Sequence, residues 1–153
     1  MVIYVNPNKL LKKLDLTIPI EDQVNVINEF KKIKNKHLNK LIRPFKNKSY
    51  WKNAAIAIRE IGYPKIEEII PDLIVWLQDM TWPGAMIIED VLMTVPREVL
   101  TKHIENAVEI AWDSEDDEWI YWISELVKDY DISKEYFKNQ KNYSKLLEIN
   151  KNY

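Results

Sequence analysis

Apolar residues recur along most of the chain at steps of three and four, the spacing of a helix with one buried face. Leu38, Leu41, Ile42 and Phe45 stand at offsets 0, 3, 4 and 7. Ile66, Ile69, Ile70 and Leu73 repeat those offsets, and so do Ile104, Ala107, Val108 and Ala111. After each such helix a second one opens near a tryptophan. Trp51 leads Ala54, Ala55 and Ile58; Trp82 leads Ala85, Met86 and Val91; Trp119 leads Trp122, Ile123 and Leu126. The tryptophans lie 31 and 37 residues apart, a period that marks stacked helical pairs.

The helix breakers agree with this reading. Asn6-Pro7 caps and opens a short helix carrying Leu10, Leu11 and Leu14, and Pro19 opens another whose face is Ile20, Val24, Ile27 and Phe30. Gly62-Tyr63-Pro64 ends one helix and starts the next, and Thr81-Trp82-Pro83 puts a proline in a first turn. Pro71 falls inside an apolar helical run, where it should kink the axis. Residues 138–153, rich in Lys, Asn and Tyr, predict a capping helix or a frayed tail. The pattern predicts an all-α fold, an α–α superhelix of HEAT-like helical pairs. It forms one domain over residues 1–153, with the repeat core at 36–131.

Composition narrows the chemistry. The 153 residues include no cysteine, which removes disulfides, thiol nucleophiles and zinc–thiolate sites. The only glycines are Gly62 and Gly84, so no glycine-rich phosphate loop or serine elbow can be assembled. His37 and His103 have no ligand-spaced partners, and no serine stands in a nucleophile context. No metal site, cofactor or catalytic residue is expected. The amino-terminal stretch lacks the long apolar core of a signal peptide, and no window reads as a membrane span. A cytoplasmic location is expected.

Charge is segregated along the chain. Residues 1–60 hold 13 Lys/Arg against 5 Asp/Glu, a balance of +8, whereas residues 61–131 hold 4 against 17, a balance of −13. Such a dipole steers oppositely charged partners. Only two of the basic residues in 1–60 are arginines, Arg43 and Arg59, and the acidic half would repel a duplex. Nucleic acid is therefore the less favoured partner.

The run Ile61-Gly62-Tyr63-Pro64-Lys65-Ile66, continuing through Ile70-Pro71-Asp72-Leu73 to Trp76-Leu77-Gln78-Asp79-Met80-Thr81-Trp82-Pro83, resembles a bacterial family. It is known as domain of unknown function 5071, whose hallmark run has Asn where this chain has Thr81. The resemblance spans about residues 36–131. It implies an all-helical, HEAT-like domain without an established activity, and by analogy of type an immunity protein of a bacterial toxin system.

Two constellations stand out as sites. Asp113, Glu115, Asp116, Asp117 and Glu118 form an acidic run flanked by Trp119, Tyr121 and Trp122. Carboxylates beside large rigid rings suit a basic protein partner such as a toxin domain. Gln78, Asp79 and Trp82 form a second possible patch, for which helix capping by Asp79 and Thr81 is the plainer reading. The expectation is a non-enzymatic protein-binding module, specifically an immunity protein that neutralises a cognate bacterial toxin. A nucleic-acid-binding protein using the basic half, and a scaffold for another cellular protein, are the alternatives.

Overall fold

The computed structural model describes residues 6–152. The apolar start at residues 1–5 and the side chain of Ile20 lie outside the described residues. Among the described residues eight α-helices carry the fold: α1 Pro7–Lys12, α2 Ile20–Phe30, α3 Trp51–Ile61, α4 Ile70–Val75, α5 Ala85–Leu92, α6 Arg97–Asp113, α7 Asp117–Asp129 and α8 Gln140–Lys151. Among the described residues there is no strand, and no helix is long and apolar enough to cross a membrane. The all-α expectation holds.

Each boundary has a local cause. Asn6 accepts the Asn8 N–H at 3.0 Å and opens α1 ahead of Pro7. Gly62, at φ +71°, closes α3 with its N–H on the Ile58 carbonyl at 2.9 Å. Helices α6 and α7 end alike, each on a left-handed acidic residue. Glu115 (φ +55°) precedes Asp116, whose N–H reaches Ala111, and Asp131 (φ +53°) precedes Ile132, whose N–H reaches Val127. Both are Schellman closures built without glycine.

Several sequence expectations need correction. Pro71 does not kink a helix; a 3₁₀ turn covers Glu67–Ile69, and Pro71 sits in the first turn of α4, where a missing N–H costs nothing. Residues 35–50 form short 3₁₀ turns instead of a helix. Pro44 disfavours helical backbone at Arg43, so the run ends there and Phe45 leaves the apolar stripe, half-exposed. On α2 the inward residues are Val26 and Phe30, while Val24 faces solvent. Met86 on α5 is also exposed. The tail is a helix, α8, with Leu146 and Ile149 buried.

The helices pack in layers. Helix α3 lies against α2 and α5, α4 against α5 and α6, and α6 against α7 and α8, with α7 and α8 making the broadest contact. One hydrophobic cluster runs from Leu10 to Ile149. Two polar ties stitch the amino-terminal part to it: Asn53 Nδ2 donates to the Leu14 carbonyl at 2.7 Å, and Lys65 Nζ to those of Lys31 and Ile33. Glu105 anchors the other end. Its buried carboxylate accepts the backbone N–H groups of Lys138 and Asn139 at 3.0 and 2.8 Å, just ahead of α8.

Candidate functional site

The acidic run spans the turn between α6 and α7. Asp113 ends α6, Glu115 occupies the left-handed closing position, and Asp116 caps α7 by accepting the Trp119 N–H at 3.1 Å. Asp117 and Glu118 fill the first turn of α7, where carboxylates suit the helix dipole. Asp113, Glu115, Asp117 and Glu118 are exposed. Asp116 is spoken for by its capping role.

Trp119 is removed from the expected surface. It is 2% exposed, and its indole N–H donates to the Ile74 carbonyl at 3.0 Å. The first inward position of α7 demands a large apolar group, and this ring tethers α7 to α4. Tyr121 and Trp122 are half-buried, with ring centroids 5.0 Å apart, edge to face. The Trp122 indole N–H is buried and has no acceptor among the described residues.

Helical spacing extends the site beyond the run. From Glu118, steps of four, three and four reach Trp122, Glu125 and Asp129, so these four share one stripe of α7. Sequence reasoning missed Glu125 and Asp129, although the same spacing rule would have found them. It also missed Glu89 on α5. Burial pushes the Glu89 carboxyl up to about 7; a hydrogen bond with Asp129, and then the charges of Asp129, Asp90 and Glu125, push it the same way. Among the described residues, no lysine or arginine forms an ion pair with Glu89, Asp90, Glu118, Glu125 or Asp129. Glu125 instead accepts the Asn150 amide of α8 at 2.9 Å.

Gln78, Asp79 and Trp82 come together in the turn before α5, without forming a helix cap. Gly84 holds the cap position of α5, and Asp79 accepts both the N–H and the hydroxyl of Thr81, at 2.8 and 2.5 Å. Those two bonds, the hydroxyl first, hold the Asp79 carboxyl below the usual range. Trp82 packs edge to face on Trp51 at 5.5 Å, Trp51 on Trp76 at 6.3 Å, and the Trp76 indole donates to the Pro83 carbonyl at 3.2 Å. Three indoles thus lock α3, α4 and α5 together. Gly84 is required at their centre: at φ +85°, an added Cβ would lie 2.7 Å from that of Ala55.

The two histidines are apart and half-buried. Burial, with Lys40 beside His37, lowers the His37 pKa, and burial lowers that of His103. Among the described residues, no group of three or more His, Cys, Asp or Glu is placed to hold a metal ion. Exposed carboxylates and half-buried rings thus lie together at the acidic turn and down α7.

Residues 46–152 match the model of a family described as Domain of unknown function (DUF5071). No curated protein and no solved structure matches the chain.

Proposed function

The chain belongs to the DUF5071 family, and on that footing we propose that it is a non-enzymatic, cytoplasmic protein-binding module, an immunity protein that neutralises a cognate bacterial toxin. The observation that carries this reading is the stripe of carboxylates on α5 and α7 that no cation of the described residues neutralises, set beside Tyr121 and Trp122. A basic partner supplies the missing counter-charges. Its approach is steered from a distance, which gives a fast, salt-sensitive association. The half-buried rings supply contact area once the surfaces meet.

Charge is also kept where it is expensive. Glu115 and Asp131 hold left-handed backbone that glycine would adopt at no steric cost. The toxin's substrate site, itself basic, would be blocked by this surface. Expression of the tagged chain with the products of its neighbouring genes tests the reading. A toxic neighbour that co-purifies with the chain, and against which the chain protects growing cells, is the expected result. Failure to bind or protect against any of them would overturn it.

A further inference from the structure

The loop before α3 carries a second orphan charge, of opposite sign and independent of the acidic stripe. Residues 43–52 contain Arg43, Lys46, Lys48 and Lys52 and no acidic residue. Arg43, Phe45 and Lys46 have φ of 42°, 59° and 50°, and none is glycine. Backbone strain of this kind persists only where surrounding contacts impose it. Here Pro44 is buried and its carbonyl accepts the Trp51 indole N–H at 3.3 Å. The Arg43 guanidinium lies over the Trp82 ring, 5.0 Å from its centroid, and 6.0 Å from that of Trp51.

The strained turn therefore has a consequence for the surface. Phe45 is pushed outward, 50% exposed, with Tyr50 set edge to face against it at 4.9 Å. Lys46 and Lys48, next along the loop, and Lys52 at the start of α3 are exposed. Arg43 is half-buried, and among the described residues its buried Nε has no acceptor and no carboxylate forms an ion pair with it. Asp72 acts on it only at longer range, and Asp79, which lies near Lys48, is already engaged by Thr81.

We propose that this loop binds single-stranded nucleic acid, with Arg43, Lys46, Lys48 and Lys52 holding phosphates and Phe45 stacking on a base. A cationic track beside an exposed ring is the arrangement such strands need, because every base has a face to stack while the phosphates repeat along the chain. An acidic protein segment would pair with the cations and pack on the ring, but only a single strand presents a flat aromatic face alongside every phosphate. A duplex keeps its bases stacked within itself and would have to unstack a base step to use Phe45.

Fluorescence anisotropy of the intact chain with labelled oligothymidylate of roughly 15 nucleotides tests this. Saturable binding is expected at about 50 mM salt. Phe45→Gly removes the ring at a position whose φ glycine accepts freely, so the fold is retained, and affinity should fall about tenfold. The exposed double variant Lys46→Glu, Lys48→Glu should weaken binding by more than about tenfold. It should also flatten the salt dependence by about 0.7 in slope for each phosphate it no longer holds. Three results would each overturn the proposal: no saturable binding, both variants binding as the parent does, or polyglutamate of matched charge binding as tightly. The last would make the loop a surface for acidic proteins.

Discussion

The indole N–H of Trp119 donates to the carbonyl of Ile74 across 45 residues of sequence, at 3.0 Å and out of solvent. That bond makes Trp119 part of the scaffold that aims α7, while Tyr121 and Trp122, two and three residues on, remain at the surface. Trp119→Phe keeps most of the packing but leaves a buried carbonyl without its donor. It should destabilise the fold by about 1–3 kcal/mol, read by urea unfolding. Affinity for a partner, measured on the folded fraction, should be unchanged.

The Glu89 carboxyl, raised to about 7 by burial and by Asp129, Asp90 and Glu125, makes stability depend on pH with a definite sign. The folded state holds a proton that the unfolded chain releases near 4.5. Stability is therefore lost as pH rises from that value through about 7. Glu89→Gln should raise Tm at about pH 8 and leave it nearly unchanged at about pH 4. A rise of equal size at both values would show that the carboxylates do not repel one another. A cationic partner favours the ionised form, so complex formation should tighten as pH rises through about 7.

Glu115 and Asp131 close α6 and α7 in left-handed backbone. Replacing either by glycine should stabilise the chain by about 0.5–1 kcal/mol, seen as a higher urea midpoint with an unchanged slope. Glu115→Gly should at the same time weaken partner binding, since it removes one exposed carboxylate from the acidic turn. Gain of stability with loss of affinity would separate the two demands on this residue.

Gly84 and Gly62 share a positive φ but not a neighbourhood. An added Cβ at Gly62 meets only the Arg59 carbonyl at 3.6 Å, whereas at Gly84 it meets Ala55 at 2.7 Å and Trp51 and Trp76 behind it. Gly62→Ala should cost about 1 kcal/mol from backbone strain alone. Gly84→Ala adds overpacking and should cost about 2–4 kcal/mol. Equal losses in thermal unfolding would contradict the close approach of α5 to α3.

The sequence exposed the helices wherever an apolar stripe ran uninterrupted, as in Ile104, Ala107, Val108 and Ala111 of α6. It misled where a proline changed the backbone. Around Phe45 the 3–4 spacing continues, but Pro44 had already turned Arg43 out of the helix, and no periodicity reports that. Val24 and Met86 fit their stripes on paper and face solvent, because a stripe says nothing of where the neighbouring layer ends. The acidic run was visible as composition, and its extension through Glu125 and Asp129 was visible as spacing. The approach of Glu89 to Asp129 was not, since it joins two helices whose register only packing decides. Trp119 illustrates the converse, an aromatic beside charges that burial assigns to the core.

Reception of a basic partner by the carboxylate stripe of α5 and α7 is tested most directly by reversing its charge. The measurement is the affinity of the proposed basic partner, taken from the co-purification described above, for a chain carrying Glu118→Lys and Asp129→Lys. Glu118 and Asp129 are exposed, and the new lysine at 129 would face Glu89, so the fold is expected to hold. A loss of affinity of about tenfold or more is predicted, mostly in the association rate, with a weaker dependence on salt. Unchanged affinity and salt dependence in that variant would contradict this, and would place the interface elsewhere on the chain.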